Sequence, residues 1–500
     1  MSLVLEHLQR LAQTEPERVL LNDGERHLNA AALYNNILSV RRWVEATPAT
    51  VIALVGDNTL AWLVADLALL GLPVRVVPIP GFFSASQIRH VCRQAQVDMV
   101  LGTAAGIQSF PALNPVQVAQ VNETVGLVAG LIPQSSAYAG EYEKVTFTSG
   151  STGNPKGVRL GLETLENTAR GIADTLADTV IETHLSVLPY ATLLENVAGI
   201  YAPLLRGVTV HVRTMAQLGL QSPSQFNPLL WAQVLQQVQP HATILVPQLL
   251  LALVTLMQRK LLSLSCFRFI AVGGGKVAPA MLQQAEALQL PVFEGYGLSE
   301  CGSVVALNTP ADRRLGSVGK VLPHARIRIA DDGELLVSGS VMKGYLDEPV
   351  LEQAEVATGD IGGFDDEGFV MVSGRKKNLF ITAFGRNVSP EWVEAELLAQ
   401  LPIQQVAVFG EALPANVAII VARSGFDAQA VADAVAACNV NLPDYARIGR
   451  FILATEPFSD ANGLATSNGR IRRFAIFDHY VSQLQPETQH GILSTTATTD

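Results

Sequence analysis

The stretch from residue 241 to residue 296 reads HATILVPQLLLALVTLMQRKLLSLSCFRFIAVGGGKVAPAMLQQAEALQLPVFEGY. Short β-branched or aromatic runs alternate in it with apolar segments of helical periodicity. The predicted elements are, in order, a strand at His241 to Val246, the helix PQLLLALVTLM, a strand at Phe267 to Val272, a helix near Pro279 to Leu288 and a strand at Pro291 to Tyr296. Strand-helix-strand order is typical of parallel sheets flanked by helices. Most of the chain shows the same alternation, so we expect an α/β fold with doubly wound sheets.

The pattern of predicted elements changes in the last third of the sequence. Turn signals such as DDG, DEP and DDEG separate short strand-like runs there, which predicts a β-rich subdomain at about residues 316–376. Beyond it, strand and helix patterns alternate again, and Ser389 followed by Pro390 predicts the start of a helix. We therefore expect a large N-terminal domain over residues 1–376 and a small α+β C-terminal domain over residues 377–500.

Composition narrows the class of protein. The chain has 500 residues, 34 Lys and Arg against 45 Asp and Glu, a net charge of −11, 16% charged residues and 49% apolar residues. Such low charge and high apolar content exclude a disordered chain. The negative balance argues against nucleic-acid binding as the main function. Because charges recur every few residues at the N-terminus, it lacks the design of a secretory signal, and we expect a cytoplasmic protein.

Neither a membrane span nor a cysteine-based site is predicted. The most membrane-like run, Ala242 to Met257, is 16 residues long and contains Pro247 and Gln248, whereas a span needs about 20 apolar residues. The cysteines lack CxxC spacing and are Cys92, Cys266, Cys301 and Cys438. This scatter favours ordinary thiols over a disulfide framework or a zinc site.

The sharpest local signal is the run TFTSGSTGNPKG at residues 146–157. Its glycines, hydroxyl side chains and single lysine, Lys156, form a flexible loop rich in hydrogen-bond donors, which suits a polyphosphate. It is not a Walker A loop, because Pro155 precedes the lysine and Gly157 follows it. From composition alone, a Ser/Thr-rich surface hairpin is an equally good interpretation.

The loop resembles the phosphate loop of the AMP-forming acyl-activating superfamily, which includes acyl-CoA synthetases, carrier-protein ligases and adenylation domains. Three further stretches match this family in the right order, and they are Glu294-Gly295-Tyr296-Gly297-Leu298-Ser299-Glu300, then Thr358-Gly359-Asp360 with Gly374-Arg375-Lys376-Lys377, then Gly385-Arg386-Asn387-Val388-Ser389-Pro390. The family's usual threonine is replaced by Ser299. Four spaced motifs over about 250 residues are very specific, and the predicted architecture covers nearly the whole chain.

The resemblance implies a set of residues that bind ATP and the incoming thiol. They are Thr148, Ser149, Gly150, Ser151, Thr152, Gly153, Gly273, Gly274, Gly275, Glu294, Gly295, Tyr296, Gly297, Ser299, Asp360, Arg375, Lys377 and Gly385. The glycine triplet follows a strand, where an open α/β sheet binds ligands. In the family, the segment at Lys377 is a hinge about which the C-terminal domain rotates, and the loop at Gly385 approaches the thiol channel.

The resemblance also implies a chemical role for individual residues. Lys156 would neutralise the leaving pyrophosphate, and Glu300 would hold magnesium, which prefers hard oxygen ligands. Tyr296 could stack on a purine, and Asp360 could accept both ribose hydroxyls. Without the resemblance, Tyr296 could be a core tyrosine, a lone glutamate such as Glu300 is usually just solvated, and an aspartate such as Asp360 in a turn is more often a local cap. The roles of these three residues therefore depend on the resemblance.

Two positions depart from the family. Arg470 stands where the family places its adenylation lysine; it keeps the charge but replaces a compact ammonium with a planar fork. Its neighbours Arg472 and Arg473 are interpreted as solvated helix charges. The segment LPYATLLE, residues 188–195, resembles one found in long-chain fatty acyl-CoA synthetases, with Thr192 in place of histidine.

The resemblance implies an AMP-forming acyl-CoA synthetase. Such an enzyme joins a carboxylic acid, here a fatty acid, to AMP with release of pyrophosphate, and then transfers the acyl group to coenzyme A. ATP, Mg²⁺ and coenzyme A are the implied cofactors. One alternative is a ligase that loads the phosphopantetheine of an acyl carrier protein. Another is a non-catalytic nucleotide-binding or scaffold protein of the same fold.

Overall fold

The computed structural model describes residues 2–113, 115–132, 136, 138–148, 155–222, 225–351, 355–382, 386–411, 413 and 415–484. The chain divides into two compact units. One is Met1–Leu379 with Ser467–Gly469, and the other is Phe380–Thr466 with Arg470–Asp500. In the described part of the chain, none of the helices combines the length and apolar character needed to cross a membrane.

Helices are spread along the described residues. The α-helices are α1 Leu3–Thr14, α2 Ala30–Glu45, α3 Leu60–Leu69, α4 Ala85–Ala95, α5 Ala104–Gln108, α6 Leu162–Thr175, α7 Ala202–Leu205, α8 Pro228–Val238, α9 Pro247–Gln258, α10 Pro279–Ala287, α11 Pro390–Leu398, α12 Ala428–Asn441 and α13 Arg473–Leu484. A π-helix runs over Leu194–Tyr201. Short 3₁₀ turns lie at Pro111–Leu113, Ser299–Cys301 and Asp444–Ala446.

Strands make up the sheets of both units. They are β1 Val19–Asn22, β2 His27–Asn29, β3 Val51–Leu54, β4 Arg75–Pro78, β5 Met99–Thr103, β6 Val116–Asn122, β7 Leu127–Leu131, β8 Glu143–Thr148, β9 Lys156–Gly161, β10 Thr183–Leu185, β11 Thr209–His211, β12 Leu220–Ser222, β13 Gln225–Phe226, β14 Ala242–Leu245, β15 Phe269–Val272, β16 Val292–Leu298, β17 Ser303–Leu307, β18 Lys320–Val321, β19 Ala325–Ile329, β20 Glu334–Gly339, β21 Gly344–Tyr345, β22 Glu355–Phe364, β23 Val370–Arg375, β24 Phe380–Ile381, β25 Asn387–Val388, β26 Ile403–Phe409, β27 Asn416–Ala422 and β28 Ile448–Leu453.

The first unit contains two large mixed sheets. One has the strand order β18-β17-β16-β15-β14-β10-β11-β1-β2, and its strands from β16 to β1 run parallel. The segment that begins at residue 241 forms strands β14, β15 and β16 of this sheet and the connecting helices α9 and α10, as the sequence predicts. The α/β fold class is confirmed. The antiparallel pairing of β16 with β17 was not predicted.

The second large sheet has the order β21-β9-β8-β4-β3-β5-β7-β6. Parallel β5, β3, β4 and β8 form its centre, and β8 turns back into antiparallel β9. One apolar core joins strands of both large sheets to α3, which is buried on every face. The β-rich segment forms a separate antiparallel sheet of order β19-β20-β22-β23.

The second unit is a small α+β structure. Strands β26, β27 and β28 form its three-stranded sheet, which packs with α11 and α12 around one apolar cluster. Arg473, at the start of α13, is only 15% exposed and donates hydrogen bonds to both oxygens of Glu394, at 2.7 and 2.8 Å. The interpretation of Arg473 as a solvated charge is therefore wrong. The side chain instead joins α13 to α11, because a bidentate guanidinium can satisfy a largely buried carboxylate.

A buried ion pair lies at the base of β8. The ammonium of Lys144 is fully buried and donates to Asp66 at 2.7 Å, to Asn196 at 2.7 Å and to the hydroxyl of Tyr201 at 2.8 Å. Tyr201 and Asn196 in turn donate to the second oxygen of Asp66, at 2.5 and 2.9 Å. Burial lowers the pKa of Lys144, and the charge of Asp66 opposes that shift. The network connects β8 to α3 and to the π-helix.

We expect Lys144→Met to lower the free energy of unfolding by about 3–5 kcal/mol, because it leaves the carboxylate of Asp66 buried without a cation. The double variant Lys144→Met/Asp66→Leu should recover part of this loss, and urea denaturation measures both. A matched control is Lys320→Met, whose ion pair with Asp312 is exposed and should cost less than about 1 kcal/mol. A Lys144→Met variant as stable as the control would contradict the prediction.

Candidate active site

Two glycine-containing segments meet where β15 and β16 end. The strands are parallel, and Val272 pairs with Glu294, so the triplet Gly273–Gly275 lies beside Gly295. A Cβ on Gly273 would lie 3.5 Å from the carbonyl oxygen of Gly295. This is the sheet edge at which open α/β folds bind ligands, and the structure brings together here the two motifs that the sequence predicts to be neighbours.

Gly297 permits the tight contact between β16 and β17. A Cβ at this position would lie 1.7 Å from the carbonyl oxygen of Ser303. A substitution would therefore force the two strands apart. Its neighbour Tyr296 keeps a fixed position because it pairs with Ala306 on the opposite strand.

Tyr296, Asp360 and Arg375 form one polar cluster. The hydroxyl of Tyr296 donates to Asp360 at 2.7 Å, and the Nε of Arg375 lies 2.9 Å from the other carboxylate oxygen. Asp360 is 5% exposed. Burial and the charge of Asp360 raise the pKa of Tyr296 far above its usual range, so this hydroxyl is a hydrogen-bond donor. Both carboxylate oxygens of Asp360 are therefore held by side chains of the first unit.

Lys156 and Glu300 come from different sheets and meet at one aromatic ring. Glu300 lies in the 3₁₀ turn that follows β16, and its Oε1 accepts a hydrogen bond from the hydroxyl of Tyr345 at 3.0 Å. The Nζ of Lys156, at the start of β9, lies 5.0 Å from the centroid of the same ring. A cation and a carboxylate thus share one neighbour, although 144 positions separate them along the chain.

The phosphate-loop motif begins and ends on paired strands. Thr148 ends β8, Lys156 begins β9, and the two residues pair across the hairpin. The predicted loop residues between them, Ser149, Gly150, Ser151, Thr152 and Gly153, lie outside the described residues. Gly385 also lies outside them.

Glu294 is a buried carboxyl group at the start of its motif. It is 9% exposed, and the backbone N–H of Gly316 donates to it at 3.3 Å. Burial raises its pKa to about 7, although Lys276 and Arg313 act in the opposite direction. A carboxyl group with such a pKa exchanges a proton near neutral pH.

The remaining predicted residues lie in turns. Ser299 begins the 3₁₀ turn that carries Glu300. Lys377 is exposed in a turn whose backbone is closed by hydrogen bonds from Asn378 and Leu379 to the carbonyl of Arg375. The unit boundary falls just beyond, between Leu379 and Phe380. The hinge at Lys377 stays a prediction.

Arg470 follows a tight turn that begins at Thr466. Its backbone N–H donates to the hydroxyl of Thr466 at 3.1 Å, and the same hydroxyl donates to the carbonyl of Arg470 at 3.0 Å. A bridge between Ala465 and Ile471 closes the turn. The turn fixes the backbone of Arg470 and leaves its side chain exposed.

The segment over residues 188–195 folds around Glu195. This carboxylate is fully buried and accepts hydrogen bonds from Ser186 at 2.6 Å and from the backbone of Leu188 at 3.1 Å. Thr192, in the position of the expected histidine, donates to the carbonyl of Pro189 at 2.7 Å. These contacts shape the segment that leads into the π-helix.

Sequence reasoning missed Tyr345 and Lys144. Tyr345 follows a glycine in the run KGYLDEP, and its neighbours gave no chemical signal of their own. Lys144 was interpreted only as part of a strand-like run. A lysine is rare in a buried strand, and that oddity was the signal that could have singled it out.

The chain matches the AMP-binding enzyme model over residues 8–346 and the AMP-binding enzyme C-terminal domain model over residues 377–486. The first match alone spans well over half of the sequence. The chain belongs to the AMP-binding enzyme family.

Two relatives illustrate the breadth of the family. A long-chain-fatty-acid–CoA ligase of Mycobacterium bovis is 29% identical over 419 residues, covering 71% of this chain and 70% of that protein. A 2-succinylbenzoate–CoA ligase of Bacillus licheniformis is 25% identical over 429 residues, covering 81% of this chain and 86% of that protein.

Solved structures share the fold. An anthranilate CoA ligase in complex with anthranoyl-AMP superposes with a TM-score of 0.78 at 16% identity, covering 96% of this chain and 98% of that one. An o-succinylbenzoate CoA synthetase of Bacillus subtilis, in complex with its acyl-adenylate intermediate, has a TM-score of 0.74 at 22% identity, covering 94% and 97%. At these identities the likeness establishes the fold.

We expect the stability of the first unit to fall as pH rises from the usual glutamate pKa of 4.5 to about 7, because folded Glu294 keeps a proton that the unfolded chain releases. Glu294→Gln cannot ionise, so it should gain stability relative to the parent by on the order of 2 kcal/mol between about pH 5 and pH 8. Urea midpoints across this range measure the difference. A parent–variant difference that is constant with pH would contradict the prediction.

Proposed function

We propose that this chain is an AMP-forming acid–thiol ligase. It joins a carboxylic acid to AMP with release of pyrophosphate, and then transfers the acyl group to coenzyme A. The supports are the family, the CoA ligases among its relatives and the contacts of the candidate site. Phosphoryl chemistry of this type requires positioning and charge neutralisation more than covalent help from the protein.

The observation that carries the proposal is the meeting of Lys156 and Glu300 at Tyr345. The lysine supplies a positive charge at the mouth of the β8–β9 hairpin, where the leaving pyrophosphate would lie. Glu300 supplies the hard oxygen ligand that Mg²⁺ requires, so the residues present fit this ion. Bound there, Mg²⁺ would neutralise phosphate charge.

The nucleoside end of ATP fits the cluster of Tyr296, Asp360 and Arg375. Asp360 is held by Tyr296 and Arg375, and its carboxylate is the group that we propose as the acceptor for the ribose hydroxyls. Gly273–Gly275 and Gly295 supply backbone that a purine can approach closely. Because the hydroxyl of Tyr296 donates to Asp360, the tyrosine ring lies beside the proposed nucleoside site.

A fatty acid is the proposed acid substrate. Support comes from the fatty-acid–CoA ligases among the relatives and from the segment over residues 188–195, which resembles one found in long-chain fatty acyl-CoA synthetases. We propose that the buried Ile244 and Leu245 on β14 contribute to an acyl tunnel. An apolar lining of this kind would suit an aliphatic chain better than a charged aromatic acid.

The two half-reactions need different groups at one site. Arg470 would clamp the acid carboxylate and the α-phosphate in the first step, with a bidentate fork in place of an ammonium. Rotation about Lys377 would then bring the loop of Gly385 to the incoming thiol.

Pyrophosphate release across a panel of acids tests the proposal. We expect release with medium- and long-chain fatty acids, and thioester formation only when coenzyme A is present. 2-Succinylbenzoate and anthranilate should be poorer substrates by at least about tenfold, since their charge or ring must enter an apolar pocket. Faster release with either aromatic acid would overturn the fatty-acid assignment, and no release with any acid would overturn the ligase activity.

We expect Arg470→Ala to slow adenylation by roughly a hundredfold, because one charge-stabilising group is lost. Thioester formation from supplied acyl adenylate should remain. Arg470→Lys separates two cases: a site built around arginine loses adenylation with lysine, and a site that only tolerates arginine gains it. Rapid-quench measurement of each half-reaction reports both steps.

The matched control is Arg472→Ala, which removes a nearby cation paired with Asp460 at 3.2 Å. It should adenylate like the parent. If Arg470→Ala also does so, Arg470 has no part in the first half-reaction.

A further inference from the structure

Tyr345 lies between the two charged groups that the proposed function assigns to the phosphates. Its hydroxyl donates to Glu300 Oε1 at 3.0 Å, and its ring centroid lies 5.0 Å from Lys156 Nζ. We propose that Tyr345 is a positioning residue that orients the Glu300 carboxylate for magnesium-bound ATP. This inference rests on the proposed function and adds to it a residue that acts through Glu300.

The backbone of Tyr345 is fixed to the strand that Lys156 begins. β21 pairs antiparallel with β9, and Tyr345 lies opposite Val158. The N–H of Leu346 donates to the carbonyl of Gly157 at 2.7 Å. These backbone contacts alone fix the position of Tyr345 relative to the β8–β9 hairpin.

The same segment is fixed to the turn of Glu300. The N–H of Met342 donates to the carbonyl of Glu300 at 2.7 Å, three residues before Tyr345. Glu300 is thus held twice, once by its backbone and once by its side-chain Oε1. A glutamate side chain otherwise has considerable rotamer freedom, which costs free energy when a ligand must order it.

The hydroxyl of Tyr345 is suited to hold a carboxylate. A phenol is neutral at physiological pH, because its usual pKa is about 10. The Tyr345 hydroxyl can therefore donate to Glu300 and adds no negative charge beside the phosphates. With Oε1 engaged, the orientation of the carboxylate is set, and Oε2 is the oxygen that a magnesium ion would take.

Ordinary packing is the alternative role of Tyr345, because its ring also packs against the apolar core of the first unit. The two roles divide between parts of the side chain. The ring alone can supply packing and the contact with Lys156, whereas the contact with Glu300 belongs to the hydroxyl. Tyr345→Phe removes the hydroxyl and keeps the ring, so it isolates the positioning role.

The test is ATP binding by isothermal titration calorimetry, once with Mg²⁺ and once with EDTA. We expect Tyr345→Phe to weaken ATP binding about tenfold with Mg²⁺, the effect of one hydrogen bond to a charged group. With EDTA the change should be less than about twofold, because Glu300 then has no ion to hold. The control is Tyr34→Phe on α2, a partly buried tyrosine of the same unit, which should match the parent in both buffers.

The outcomes separate the inference from the proposed function. Equal affinities of parent and Tyr345→Phe with Mg²⁺ would overturn the positioning role alone, and so would an equal loss in both buffers. A parent that binds ATP no more tightly with Mg²⁺ than with EDTA would overturn the metal assignment of Glu300 and the inference together. Equal melting temperatures of the variant and the parent confirm that folding is not the cause.

Discussion

The ion pair between Lys144 and Asp66 is the buried contact that holds β8, the strand leading into the proposed phosphate loop. It lies at the base of β8, four residues before Thr148, where the hydroxyl-rich loop begins. Asp66 lies on α3, and Asn196 and Tyr201 on the π-helix complete the hydrogen bonds of the pair. A buried pair of this kind rarely adds net stability over a well-packed apolar pair, but it tolerates few alternative arrangements. We infer that this network fixes the register, that is the relative position, of β8, α3 and the π-helix.

That register matters because the site is assembled from elements far apart in sequence. Lys156 is on one sheet, Glu300 follows a strand of the other, and Asp360 lies on the β-rich sheet. Each side chain is held by a neighbour: Tyr345 holds Glu300, and Arg375 with Tyr296 holds Asp360. Such preorganisation lets a ligand bind without first ordering flexible side chains.

Much of the fold could be predicted because strands and helices have different apolar periods. The segment from β14 to β16 shows this, since its elements differ from the predicted bounds by two residues or fewer. The direction of β17 could not be predicted, because its short apolar run, Val304 to Leu307, is compatible with a parallel and with an antiparallel pair. The partners of Lys144 and Tyr345 were also beyond reach, since they are set by contacts between distant segments. The roles of Lys156, Glu300, Asp360 and Arg470 came from the family resemblance and stay proposals.

The packing of strand β16 limits which sequence changes this part of the chain can accept. Along it, Tyr296 points toward Asp360, and the next residue, Gly297, passes against the carbonyl of Ser303. The pairing of β16 with β17 shifts between these two residues, whereas successive residues before Tyr296 face opposite sides of the sheet. A one-residue insertion or deletion before Tyr296 would therefore turn the tyrosine away from Asp360 and press a side chain into the space that only glycine fits. The spacing of this strand is constrained as strictly as its residue types, so we expect variation here to proceed by substitution and never by a change in length.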